Sequence, residues 1–102
     1  MWAKKLQEFY RVFTPDELDE MRLFLQSPFF NKGVMAQSSL QLFDFLRTRD
    51  AEETWPDGAA VYGELFPSEA PVKGKLSKLV SFQTKQFKQY ICIRESEIRT
   101  RH

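Results

Sequence analysis

The sequence predicts an all-α domain, a bundle of about five helices closed by a long C-terminal one. Three observations carry that expectation. Apolar residues recur at the helical period in successive segments; Thr14-Pro15-Asp16-Glu17 spells out a complete helix N-terminus; and Pro28, Pro67 and Pro71 fall between periodic segments rather than inside them. A chain of 102 residues suits one domain with a modest core.

Trp2, Leu6, Phe9, Tyr10 and Phe13 share one helical face, with Lys4, Lys5, Gln7, Glu8 and Arg11 on the other, so a first helix is expected over residues 2–12. The next begins with Thr14 as N-cap, Pro15 at the first helical position and Glu17 placed to close a capping box. Phe13 and Leu18 flank that start as a hydrophobic staple, and Asp16, Glu17, Asp19 and Glu20 complement the positive end of the helix dipole. Leu18, Met21 and Leu25 form its inward stripe, with Phe24 at the edge. Pro28 disfavours helical geometry at Ser27, so this helix is expected to stop near Gln26.

The connection 27–33 holds Phe29 and Phe30, at least one of which should fold back into the core. A third helix is expected from Val34 to Thr48 with Met35, Leu42, Phe43 and Leu46 inward, then a polar linker over 50–55. Asp57 can cap a short fourth helix near 58–66, weakened by Gly58 and Gly63. The last helix starts between Val72 and Lys75. Its stripe of Val72, Leu76, Leu79, Val80, Phe87, Tyr90, Ile91 and Ile98 is interrupted by Gln83, Thr84 and Arg94, which suggests shallower burial of its far half. Leu6, Phe9, Phe13, Leu18, Met21, Leu25, Leu42, Phe43, Leu46, Leu65, Phe66, Leu76, Leu79, Val80 and Phe87 make up the expected core. The chain reads as a single domain, 1–102, and its end lacks any helix-stopping residue, as expected of the N-terminal part of a longer helical protein.

Several strings resemble a known pattern. Leu25-Gln26-Ser27-Pro28-Phe29-Phe30-Asn31, Leu42-Phe43-Asp44-Phe45-Leu46, Leu65-Phe66-Pro67 and Lys75-Leu76-Ser77-Lys78-Leu79-Val80-Ser81 occur in that order. Together they are similar to the N-terminal region of a family of large, helix-rich, uncharacterised proteins from the Bacteroidota. Val80 stands where that pattern has methionine. The resemblance implies a domain that begins a longer α-helical bacterial protein, and it brings no activity, cofactor or catalytic residue.

The chemistry legible in the residues is sparse. His102 is the only histidine and sits at the end, which leaves no imidazole base or ligand in the body of the domain. The four glycines are scattered and form no phosphate-binding loop. Cys92 is the only cysteine, so no intrachain disulfide or thiolate zinc site can form, in keeping with a reducing, cytoplasmic setting. No run approaches a membrane span. The expectation is therefore no enzyme, no cofactor and no metal.

Two binding readings stand. In the first, aromatics outside the main stripes, Phe45 and Phe82 together with Phe30 and Trp55, meet a protein partner or the remainder of the same chain; Trp2 and Phe24 are further candidates. The alternative is that a central helix buries both its sides and absorbs them. The second reading starts from charge. Residues 1–70 hold seven Lys/Arg against twelve Asp/Glu, a balance of −5, whereas residues 71–102 hold eight against two, +6. Lys73, Lys75, Lys78, Lys85 and Lys88 could contact an anion or nucleic acid, with the last two helices mimicking a helix-turn-helix. Against it stand a long, proline-bearing turn, the absence of arginine from the first half of the last helix, and an acidic body. In the simplest view, the two oppositely charged parts just attract one another within the fold.

Overall fold

The computed structural model describes residues 3–27, 33–68 and 74–100, with side chains through Glu95. These residues form five helices and no strand: α1 (Lys4–Val12), α2 (Pro15–Gln26), α3 (Val34–Ala51), α4 (Gly58–Leu65) and α5 (Lys75–Thr100).

Local chemistry explains most boundaries. The capping box at α2 is complete: the Glu17 amide donates to Thr14 Oγ1 at 3.2 Å, and the Thr14 amide donates to Glu17 Oε1 at 2.9 Å. Asp57 caps α4 by accepting from the Ala60 amide at 2.8 Å. Gly74 precedes α5 with φ 85°, a left-handed conformation that glycine adopts without a Cβ penalty.

The C-terminus of α3 corrects the expected linker. The helix runs to Ala51, beyond Thr48, and ends in a Schellman motif. The Thr54 amide donates to the Arg49 carbonyl at 2.9 Å and the Glu53 amide to the Asp50 carbonyl at 3.0 Å. Glu53 sits at φ 57°, where glycine would be usual. With no proline or glycine between Arg49 and Trp55, the helix continues until this turn closes it.

Helices α3 and α5 are the two central elements. α5 packs on α1, α2 and α3, and α3 packs on α1, α2, α4 and α5. The core gathers Leu6 and Tyr10 of α1, Leu18, Met21 and Leu25 of α2, Leu42, Phe43 and Leu46 of α3, Val61 of α4, and Leu79, Phe87 and Tyr90 of α5. Phe87 is its hub: its ring stacks on Phe9 at 4.8 Å and meets Tyr10 at 5.4 Å and Phe13 at 5.3 Å, both edge-on. Each such pair adds about 0.5–1.5 kcal/mol to the burial itself, so the aromatic content of this small chain serves mainly to knit α1 to α5.

Several expected core residues lie at its periphery. Phe9, Phe13, Leu65, Phe66, Leu76 and Val80 pack partly buried against the cluster, while Tyr10, Val61 and Tyr90 are inside it and Ala36 and Tyr62 are buried as well. Met35, expected inward, is 40% exposed. The interruption expected at Gln83 is also corrected, because Gln83 is fully buried. It is tolerated because every polar atom it brings is partnered. Tyr10 Oη donates to Gln83 Oε1 at 2.6 Å, and Gln83 Nε2 donates to the Ser39 carbonyl at 2.7 Å and to Ser39 Oγ at 3.1 Å. Ser39 Oγ in turn donates to Gln86 Oε1. This chain of bonds ties α1, α3 and α5 together, and among the described residues no buried side-chain N or O atom lacks a partner. Met1, Trp2, Phe29, Phe30 and Val72 lie outside the described residues, as does the side chain of Ile98.

Candidate protein-binding surface

The fold sorts the cations into two kinds. Every arginine whose side chain is described pairs with a carboxylate of the domain itself. Arg22 holds Asp44 through two bonds of 2.8 and 3.1 Å, Arg47 meets Asp19 at 2.8 Å, Arg11 meets Asp50 at 3.7 Å and Arg49 meets Glu52 at 3.9 Å. Arg94 of α5 binds Glu17 of α2, and Tyr90 Oη donates to Glu20 at 2.6 Å beside it. Here the C-terminal segment does attract the acidic body, as the charge split suggested. The Thr14 amide and then the Arg94 guanidinium hold the Glu17 carboxyl below its ordinary range. Burial, followed by the Glu20 carboxylate, pushes Tyr90 up to about 12.

The lysines of α5 behave differently. Lys78, Lys85 and Lys88 are exposed, on the side of α5 opposite Leu79, Gln83, Gln86 and Tyr90, and form no ion pair among the described residues. Lys75 is turned aside: its ammonium lies 4.1 Å from the centroid of the Phe66 ring. Lys73 lies outside the described residues.

Two of the free lysines frame a cleft between α3 and α5. Its walls are Met35, Ser77, Lys78, Ser81, Phe82 and Lys85, and it encloses about 430 Å³. Phe82 is half-buried, and neither it nor Met35 belongs to the core cluster or the shell packed on it. Among the described residues, no carboxylate lines the cleft. Val34, next to Met35, is 79% exposed, and the first turn of α3 carries no acid and no side-chain cap. The cleft is therefore apolar at its centre and cationic at its rim, with the positive end of a helix dipole beside it.

The other expected interface residues are not brought to it. Phe45 packs against the core shell with the Arg49 guanidinium 5.0 Å from its ring centroid, so α3 absorbs it as a central helix does. Trp55 also joins that shell, 5.8 Å from the Tyr10 ring. Phe24 lies 5.9 Å from Tyr90. Among the expected interface residues that are described, Phe82 lines this cleft, and Phe30 lies outside the described residues. Met35 is the member that sequence reasoning missed. Its position in the first turn of α3, just after Gly33, was the available signal, because a helix's leading turn often overshoots the core.

A second groove between α1 and α5, lined by Lys5, Glu8, Phe9, Val12, Phe13, Thr84, Lys88 and Ile91, encloses about 440 Å³. Its rim mixes charges of both signs, which leaves it without a directional preference. A third depression is formed by Tyr62, Gly63, Phe66, Pro67 and Leu76, with Gly58 and Ala59, and no charged group lines it among the described residues.

Among the described residues, no three His, Cys, Asp or Glu side chains converge to hold a metal ion. Cys92 is exposed and free. No described helix is long and apolar enough to cross a membrane. Comparison with protein-family models, curated proteins and solved structures gave no match.

Proposed function

We propose that this domain is a non-catalytic protein-interaction or scaffolding module, working in the cytoplasm as part of a larger bacterial helical protein. In this reading its partner, whether another protein or a further part of its own chain, docks on the α3/α5 cleft. The observation that carries the reading is the placement of Phe82: an aromatic side chain left out of the core shares an open cleft with Met35 and two lysines that form no ion pair among the described residues. Interface centres are typically built from such aromatic and methionine side chains inside a polar rim.

Selection of displayed peptides on the purified domain tests it, with a Phe82→Ser variant as counter-screen. The expected result is enriched peptides that bind the parent domain and lose at least about tenfold in affinity for the variant, a typical cost of truncating an interface centre. Circular dichroism and thermal melting should stay unchanged. Enrichment of nothing, or of binders indifferent to Phe82, would reject the cleft as a docking site. So would a variant that fails to fold, because Phe82 would then be structural.

A nucleic-acid reading is favoured by one observation, the unpaired Lys78, Lys85 and Lys88 on a single helix. It is weakened by the fold, since α4 packs chiefly on α3. Duplex binding that falls steeply with salt, and that the pair Lys75→Glu and Lys78→Glu abolishes, would establish it.

A further inference from the structure

We infer that the partner segment seated in the α3/α5 cleft is an acidic amphipathic helix, with two carboxylates two turns apart and an apolar side chain midway between them. This rests on the protein-binding reading above and adds the chemistry of the occupant.

The argument is one of charge and spacing. Inside the domain, the arginines are spent on its own carboxylates, and the cleft retains cations with no described acid to meet them. Lys78 and Lys85 are separated by seven residues, or about 10.5 Å along α5 at 1.5 Å per residue. Phe82 lies between them along the helix and lines the same cleft, as does Met35 of α3. A partner helix laid along α5 repeats the same rise, so glutamates seven positions apart face the two ammonium groups while leucine or phenylalanine at the intervening positions meets Phe82 and Met35. The uncapped first turn of α3 adds positive potential and repels a basic segment.

The test uses synthetic helical peptides of about sixteen residues in an alanine–glutamine host, a length at which an isolated helix is marginally stable. One carries two glutamates seven positions apart with two leucines midway; in its controls the glutamates become glutamine or lysine. Binding is read by fluorescence anisotropy at low salt and by NMR shifts of the Lys78–Lys85 amides. The glutamate peptide should bind, and the glutamine peptide should bind about 3–10-fold more weakly, as expected for two exposed ion pairs. The lysine peptide should not bind the parent domain but should bind a Lys78→Glu, Lys85→Glu variant that rejects the glutamate peptide. Equal binding of all three peptides, still lost in Phe82→Ser, would overturn the acidic occupant and leave the docking reading standing. If no peptide, designed or selected, depended on Phe82, the docking reading itself would fail. A concentration-dependent dimer abolished by Phe82→Ser would assign the cleft to a second copy. DNA binding indifferent to Phe82→Ser would assign the lysines to nucleic acid. Either result overturns the inference.

Discussion

Replacing Gln83 by methionine removes the hub of the buried polar chain while keeping nearly the same volume. Tyr10 Oη is then left without an acceptor, and the Ser39 carbonyl loses the side-chain donor that met it at 2.7 Å. Tyr10 is 2% exposed and Ser39 fully buried, so water does not readily replace the lost partner. The Ser39 carbonyl keeps the amide of its own helix, so the unsatisfied Tyr10 hydroxyl sets the expected destabilisation at about 1–3 kcal/mol. Chemical denaturation followed by far-ultraviolet circular dichroism measures it. With a urea dependence of about 1–2 kcal/mol per molar for a small domain, the midpoint should fall by at least about 0.5 M at unchanged slope. The companion variant Tyr10→Phe removes the donor alone. Combined with Gln83→Met it should restore part of the loss, because the hydroxyl that lacked a partner is gone, and the double-mutant cycle should show a coupling of about 1 kcal/mol or more. A Gln83→Met midpoint equal to the parent's, or strict additivity of the two changes, would refute the claim that this glutamine is buried because its bonds are satisfied.

Other substitutions separate local from tertiary causes. Phe45→Ala should destabilise the domain by about 2–4 kcal/mol, below the range for a fully buried phenylalanine, whereas Phe82→Ala should change the stability by less than about 1 kcal/mol; thermal or urea unfolding of the pair measures both. Glu53→Gly relieves a left-handed residue in the Schellman motif and should raise stability by about 0.5–1 kcal/mol, visible as a higher melting temperature. Glu17 is held below its ordinary range in the fold, so its contribution is complete above the unfolded value of about 4.3 and is lost as pH falls through the folded one. Urea midpoints taken down an acid series should therefore drop below about pH 4, and Glu17→Gln should flatten that drop. Tyr90 and Tyr10 are shifted upward, Tyr10 chiefly by burial. Their contribution is complete below the unfolded value of about 10 and disappears as pH rises towards 12 and beyond, so tyrosinate absorbance and loss of helicity should rise together above about pH 10.

What was readable in the residues followed from short-range chemistry. The capping box at Thr14 and Glu17, the Asp57 cap, the stop before Pro28 and the 3.6-residue stripes of α2 and α3 depend on groups within a turn or two of one another. They carry the same physical meaning in an isolated segment as in the folded chain. The all-α class, the five helices and most of the core followed from them. The end of α3 was misjudged because a charged stretch without glycine resembles a linker until the Schellman bonds are seen.

The remaining features depend on which helix meets which. Gln83 breaks an apolar stripe by composition, and only the approach of Tyr10 and Ser39 from two other helices makes it a core residue. Phe45 and Phe82 look alike in the sequence, each off the main stripe of its helix. Packing covers Phe45 because α3 is enclosed by four neighbours, and leaves Phe82 at an open seam beside Met35. Charge behaves in the same way. The sequence alone determines that cations collect in the last third, but tertiary structure assigns Arg94 to Glu17 and leaves Lys78 and Lys85 to solvent, because pairing depends on distances across the bundle that no local pattern encodes.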